Sequence, residues 1–167
     1  MLKSEYSMIM ELQKRVSRLE RHENPVVKFK RLSPNATIPS YQTAGAAGAD
    51  LHAANEETMT VFPGATVLVP TGLAMELPPG YEAQVRPRSG LSVKGIAVAN
   101  SPGTIDEDFR GEVKVILRNH GQTLTIHKGD RVAQLVIARV VQAELADASE
   151  LSETERGEGG FGSTGVK

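Results

Sequence analysis

Three consecutive acids within the segment 100–111 are the first candidates for chemistry in this sequence. The segment reads Asn-Ser-Pro-Gly-Thr-Ile, then Asp106, Glu107 and Asp108, then Phe-Arg-Gly. One carboxylate there could act as a general base towards water, an effect typically worth ~10²–10⁴-fold in rate. The turn residues at its start and the Arg-Gly pair at its end predict a hairpin, whose open backbone groups can read the edge of a base. The same residues also fit an ordinary acidic hairpin tip.

The arginine-rich turn 86–92 is a second candidate, with the sequence Arg-Pro-Arg-Ser-Gly-Leu-Ser. Two arginines, a serine and a glycine at the end of a predicted strand can form a nest that binds an anion, because backbone N–H groups converge there. A solvated turn would use the same residues.

Two isolated polar residues lie in apolar or small-residue surroundings. Asp50 follows the small-residue run 44–49, which allows close packing, and an Asp cap on a turn at the edge of the core is the simpler explanation. Gln134 lies within a strongly apolar predicted strand. A polar side chain in that position is either a satisfied structural amide or a residue of a site.

The glycine-rich tail 156–165 contains one guanidinium, one aromatic ring and several hydroxyls. It nearly matches a phosphate-binding P-loop, with Ser163 at the lysine position, but a P-loop requires a following helix, which the three residues after Thr164 cannot form. We therefore predict a flexible strap. Arg156 suits bidentate binding of phosphate, and stacking of Phe161 on a base would contribute roughly 1–3 kcal/mol. A disordered tail is the alternative.

Short strands separated by turn residues are predicted to position these candidates. Runs of alternating or β-branched residues are separated by clusters rich in Gly, Pro, Asn and Asp. The predicted strands are 26–32, 58–62, 65–69, 81–85, 112–117, 123–126 and 131–141. Their spacing, without alternating helices, indicates an all-β sandwich or jelly roll.

The N-terminal residues differ from the rest, because Leu2, Ile9 and Val16 recur every seven residues among polar ones. This pattern predicts a short amphipathic helix. The helix would either lie on its own domain or mediate self-association or another contact, and its heptad residues favour a dimer. The predicted organisation is a helix at 1–24, a β domain at 25–143 and a flexible arm at 144–167.

Composition excludes several classes of protein. The chain has 167 residues, 19 basic and 20 acidic, so a net charge of −1 does not favour binding to duplex nucleic acid or to a membrane surface. With no cysteine, disulfides, thiolate catalysis and Cys-ligated zinc are excluded. The four histidines are scattered, which disfavours a protein-caged transition metal. Mg²⁺ needs only substrate phosphates and one or two carboxylates. No signal peptide is recognised, so a cytoplasmic location is expected.

Five segments in order resemble the five motifs of the trimeric dUTPase family. They are 47–51, 87–91, 103–111, 129–135 and 156–165. Each motif is weak alone, but five in order are highly specific, and the resemblance covers about residues 26–167. It implies a jelly-roll-like β domain that forms a homotrimer, each active site being shared among the three chains. It also implies a role in supplying dUMP for thymidylate synthesis and in keeping uracil out of DNA.

The resemblance also implies the reaction and the residues that carry it. Asp106 would be the general base for attack of water on the α-phosphorus of dUTP, and Asp50 would hold the Mg²⁺–triphosphate through water. Binding of the substrate would use Arg88, Ser89, Gly90, Asn100, Gly103, Thr104, Ile105, Phe109, Lys114, Gln134, Arg156, Phe161, Gly162, Ser163 and Thr164. The family usually has Tyr where this sequence has Phe109. The ring can still lie under deoxyribose, but any hydrogen bond of the phenol is lost.

Two other functions fit parts of the sequence. A dCTP deaminase resembles the same family in fold, but it usually has a Glu where this chain has Asp106, and ammonia release from dCTP would identify it. The second alternative is a non-enzymatic trimer with a helical stem and a β head, which would release no pyrophosphate from dUTP.

Overall fold

The structure is a computed structural model that describes residues 7–10 and 24–160. Residues 7–10 are helical. The rest of the predicted N-terminal helix lies outside the described residues, as do Phe161, Gly162, Ser163 and Thr164 of the arm. Within the described ranges, no helix is long and apolar enough to cross a membrane.

Residues 24–160 form eleven β-strands and one short helix. The strands are β1 Lys28–Arg31, β2 Ala49–His52, β3 Met59–Val61, β4 Thr66–Pro70, β5 Leu73–Glu76, β6 Tyr81–Arg86, β7 Ile96–Val98, β8 Gly103–Ile105, β9 Lys114–Asn119, β10 Leu124–Ile126 and β11 Arg131–Arg139. Helix α1, Ser89–Ser92, is a single turn between β6 and β7. The predicted all-β class is therefore confirmed for the described chain.

The strands pair antiparallel in four sheets. One sheet has the order β2-β11-β6-β8, a second has β4-β9-β7, and β1-β5 and β10-β3 form two-stranded ladders. On the β1-β5 ladder Lys28 Nζ lies 2.6 Å from Glu76 Oε1. This hydrogen bond, and then the charge of Lys28, lower the pKa of the Glu76 carboxyl.

One buried cluster joins the sheets, and alternation along the strands builds it. In β9 the side chains of Val115, Leu117 and Asn119 are buried, while Lys114 and Ile116 point the other way. Because successive side chains of a strand face opposite sides, the core residues of β9 place Lys114 on the outer surface. Val85 of β6 belongs to the same core.

The hairpin predicted for residues 100–111 is wrong. Residues 103–105 form β8, but the partner of β8 is β6, with Ile105 opposite Ala83, and not a second strand of the same segment. Residues after Ile105 form a turn in which the Phe109 N–H donates to the Asp106 carbonyl at 3.2 Å. A longer-range ladder therefore replaces the local one that the turn residues suggested.

Four of the strands have no counterpart among those predicted, namely β2, β5, β7 and β8. Each is only three or four residues long, and β2 and β5 are rich in Ala, Leu and Met instead of β-branched residues. Such runs are too short to display a period of two, so pairing with distant strands decides their structure.

Candidate active site

A cleft of about 330 Å³ lies beside β8. Its walls contain seven of the predicted site residues, together with five apolar or charged residues that the prediction missed. The predicted residues are Asn100, Gly103, Thr104, Ile105, Asp106, Phe109 and Lys114, and the missed ones are Leu68, Val85, Glu112, Val113 and Ile116. Leu68 is 58% exposed on β4, a property that only the structure reveals.

The free edge of β8 forms one side of this cleft. β8 is the last strand of its sheet and pairs with β6 along one edge only, within the described chain. A Cβ on Gly103 would lie 2.9 Å from Asn100 Nδ2, so the glycine lets the Asn100 amide approach the strand. Unpaired backbone groups on a strand edge can bind a flat polar group as they would bind another strand.

The three consecutive acids have different environments. The Glu107 carboxylate accepts a hydrogen bond from the Gly80 N–H at 2.6 Å. Asp106 lines the cleft, and its carboxylate forms no hydrogen bond to any residue in 24–160. Asp108 is exposed and does not line the cleft. Asp106 is thus the member of the acidic loop that is available to a ligand in the cleft.

The ring of Phe109 packs over Gly111 at the end of the acidic loop. A Cβ on Gly111 would lie 2.6 Å from the ring atom Cζ, so only glycine leaves room for this ring position. Phe109 is 43% exposed, and it presents an apolar surface to the cleft. Lys114 and Glu112 also line the cleft, and Lys114 Nζ lies 3.4 Å from Glu112 Oε2.

The arginine-rich turn is held by a buried carboxylate. Arg88 Nε lies 3.1 Å from Asp50 Oδ1, and Arg131 Nη1 lies 3.1 Å from Asp50 Oδ2. Arg88 Nη1 also donates to the Arg131 carbonyl at 2.9 Å. The three groups Arg88, Arg131 and Asp50 together carry a net charge of +1, and the Asp130 carboxylate also lines the cleft that contains the two arginines. The backbone N–H groups of Ser89 and Gly90 donate no hydrogen bond within residues 24–160. These donors and charges suit an anion.

Gln134 supports this turn from β11. Its Nε2 donates to the Pro87 carbonyl at 2.8 Å, one residue before Arg88. On the other side, a Cβ on Gly48 would collide with Gln134 Oε1. Through its Nε2 the side chain has a structural role in holding the turn, and a direct contact of Gln134 with phosphate stays a prediction.

The base cleft and the arginine-rich turn lie at opposite ends of β6. Asp106 follows Ile105, which is opposite Ala83 near the start of β6, whereas Arg88 follows the end of β6. The five residue steps from Ala83 to Arg88 span about 16 Å in extended chain. Arg88 and Arg131 line a separate cleft of about 290 Å³, and no residue lines both clefts.

The described residues contain no group of three or more His, Asp and Glu side chains that could hold a metal ion. Asp50 nevertheless fits a metal held through water. An ionised carboxylate has about four lone-pair sites, and the two arginine contacts leave others able to accept from metal-bound water. Mg²⁺ commonly keeps several waters and binds through substrate phosphates.

The C-terminal arm leaves the β domain after β11. The Val140 N–H donates to the Gly80 carbonyl at 3.0 Å. Beyond this point Val141, Leu145 and Leu151 are 91%, 93% and 89% exposed. Arg156 Nε donates to the Gly159 carbonyl at 2.7 Å within a local turn. Arg156 lines neither cleft, so within one described chain it does not lie beside the other candidate residues.

Comparisons with known proteins agree with this geometry. The family model for dUTPase matches residues 34–165. The deoxyuridine 5'-triphosphate nucleotidohydrolase of Anaeromyxobacter sp. (strain Fw109-5) is 57% identical over 144 residues, which cover 83% of this chain and 97% of that protein.

Solved structures share the fold. The dUTPase of Staphylococcus bacteriophage 80alpha with dUPNHPP has a TM-score of 0.79 and 30% identity, covering 86% of this chain and all (100%) of that one. A mutant dUTPase of phage phi11 of S. aureus, solved with a structural Mg(II) ion, has a TM-score of 0.69 and 25% identity, covering 75% of this chain and 97% of that one. The predicted jelly-roll-like β fold is confirmed, and the chain belongs to the dUTPase family.

Proposed function

We propose that this chain is a dUTP diphosphatase, which hydrolyses dUTP to dUMP and pyrophosphate. The observation that carries the proposal is the cleft in which Asp106 lies beside the free edge of β8. Membership of the dUTPase family and the named activity of the 57% identical relative support it. The reaction would supply dUMP for thymidylate synthesis and would keep uracil out of DNA.

The base cleft would select the nucleotide. Asn100 and the backbone of Thr104 and Ile105 would read the polar edge of uracil, and the narrow space beside β8 would leave no room for the methyl group of thymine. Phe109 would lie under the deoxyribose and exclude a 2′-hydroxyl. Lys114, which lines the cleft together with its ion-pair partner Glu112, would provide a cation for an anionic substrate.

Asp106 would perform the chemical step. Its carboxylate takes a proton from water as the water oxygen bonds to the α-phosphorus, and the bond from that phosphorus to the bridging oxygen breaks, releasing pyrophosphate. Arg88, Ser89 and Gly90 would bind the phosphates, with Gln134 holding their turn. Mg²⁺, bound through phosphates and through water to Asp50, would neutralise part of the triphosphate charge when present.

We further propose that the active form is a homotrimer with shared sites. The roughly 16 Å of extended chain from Ala83, which faces Ile105, to Arg88 separates Asp106 from Arg88 of the same chain, which favours contact of one triphosphate with residues of two chains. A head-to-tail ring of copies would join the base cleft of one chain to the arginine-rich turn of the next. The exposed apolar side chains of the arm, from Val141 to Leu151, also favour packing against another copy.

The arm would complete the site. Arg156, Ser163 and Thr164 would bind the outer phosphates, Phe161 would stack on uracil, and Gly162 would allow the backbone to approach. Closure of such a segment excludes water from the reacting groups.

A panel of nucleotides tests the activity. With dUTP, dTTP, dCTP and UTP, each assayed for pyrophosphate with Mg²⁺ and with a chelator, we expect rapid release from dUTP alone, and slower release when the metal is removed. Ammonia release from dCTP would instead identify a deaminase. Absence of pyrophosphate from all four nucleotides would contradict the proposal.

Mixed assemblies test the sharing of sites. Asp106→Asn and Arg88→Ala chains should each be nearly inactive alone. If each site takes Asp106 from one chain and Arg88 from the next, equal co-expression should restore about one quarter of the wild-type turnover per chain, since each half of a site is intact with a chance of about one half. Pyrophosphate release by the purified mixture measures this. A mixture as inactive as its components would show that sites are not shared.

A further inference from the structure

We infer that Glu107 is a positioning residue for the proposed hydrolysis, which anchors the loop carrying Asp106 to the turn before β6. The inference rests on the proposed function, because it assigns Asp106 to the chemical step. Glu107 itself does not line the cleft. It would act through its neighbour in the chain.

The anchor is a short hydrogen bond from backbone to carboxylate. Gly80 N–H donates to Glu107 Oε2 at 2.6 Å, a contact between residues 27 apart in sequence. The two residues before Gly80 are prolines, which have no N–H group. The turn therefore offers one backbone donor at this point. A hydrogen bond to a charged acceptor contributes more than a neutral one.

Within residues 24–160, this contact is the only hydrogen bond that joins the loop 106–111 to another part of the chain. The other bonds of the loop are internal. Arg110 Nη1 donates to the carbonyls of Glu107 at 2.6 Å and Phe109 at 2.9 Å, and Phe109 N–H donates to Asp106. Internal hydrogen bonds thus hold the loop together, and the Glu107 contact sets its position relative to the β domain.

Gly80 also fixes the origin of the C-terminal arm. Its carbonyl accepts from Val140 N–H at 3.0 Å, and its φ of +80° suits glycine. The Gly80 N–H therefore holds the carboxylate of Glu107, the neighbour of Asp106. The Gly80 carbonyl holds Val140, where the arm leaves β11. Without the Glu107 contact, the loop 106–111 would no longer be fixed to the turn at Gly80. The hydrogen bond from Val140 to the same turn would remain.

Removal of the anchor should lower turnover more than substrate affinity. A displacement of about 1 Å at a reacting group can cost about 100-fold in rate. Because Asp106 remains tethered to β8, we expect a smaller loss in Glu107→Ala, about tenfold in kcat, with KM changed less than about twofold. Glu107→Gln keeps an oxygen acceptor at the same reach, so it should retain kcat to within about threefold of wild type.

Asp108→Ala is the matched control, since it removes an equal charge from the adjacent, exposed residue. It should leave kcat within about twofold of wild type, and all three variants should keep the wild-type fold and assembly. If Glu107→Ala were no slower than Asp108→Ala, or if Glu107→Gln were as slow as Glu107→Ala, the anchoring role would be wrong.

A second measurement does not depend on activity. Amide hydrogen exchange at Gly80 should be faster in Glu107→Ala than in wild type and in Asp108→Ala, because the N–H loses its acceptor. Unchanged exchange would overturn the inference even in an active enzyme. Conversely, a wild-type chain that releases no pyrophosphate from dUTP would contradict the proposed function and leave the exchange result to decide whether the anchor exists.

Discussion

Asp106→Asn is expected to lower kcat for dUTP by ~10²–10⁴-fold, while the fold and the binding of dUTP are retained. Asparagine has nearly the same shape as aspartate, but its amide cannot accept a proton from water at neutral pH. Asp106 forms no side-chain hydrogen bond within the described chain, so the substitution breaks no described contact. Initial rates of pyrophosphate release, and calorimetric binding of a non-hydrolysable dUTP analogue, measure the two effects.

The control for this variant is Asp108→Asn, which makes the same chemical change two residues away. It should have nearly wild-type turnover, because Asp108 is exposed and does not line the cleft. Near-normal turnover of Asp106→Asn would remove Asp106 from the role of base. Loss of analogue binding would instead point to a role in holding the nucleotide.

Truncation after Glu155 is expected to leave a stable assembly that barely hydrolyses dUTP. The β domain should not depend on the removed residues, since Arg156, Gly157 and Glu158 are exposed. The truncation removes Arg156 and Phe161. A charge-assisted hydrogen bond contributes roughly 1.5–3 kcal/mol and a stacked base roughly 1–3 kcal/mol. The two lower limits together are about 2.5 kcal/mol, and since every 1.4 kcal/mol corresponds to about tenfold, we expect kcat/KM to fall at least about 60-fold.

Steady-state kinetics, thermal unfolding and light scattering together check this prediction. A chain shortened only by Val166 and Lys167 is the control, and it should match wild type in all three. Full activity of the longer truncation would show that the arm does not close the site. A lower unfolding temperature or a smaller assembly would show that the removed residues stabilise the β domain or its contacts.

Residues of the base cleft could be predicted from sequence because most of them lie in one segment. Asn100, Thr104, Asp106 and Phe109 are within ten residues of each other, so a local motif already brings them together. The predicted hairpin was nevertheless wrong, because the partner of β8 is chosen by burial of Ile105 and Gly103 against β6. Local turn residues do not encode that choice.

Contacts between distant segments could not be predicted from the sequence. The pair between Asp50 and Arg131 joins residues 81 apart, and neither residue type nor spacing distinguishes Asp50 as a carboxylate between two guanidinium groups. Glu107 was equally hidden among three adjacent acids. Its partner is the backbone of a glycine, which has no side-chain signature.

Gly48 and Gln134 have a consequence for how relatives of this chain can diverge. Any side chain at position 48 would collide with the Gln134 carboxamide, which in turn holds the carbonyl of Pro87 beside Arg88. The two positions should therefore covary: a larger residue at 48 should be accompanied by a shorter one at 134. In functional homologues that carry such an exchange, we expect a different hydrogen-bond donor to reach the Pro87 carbonyl.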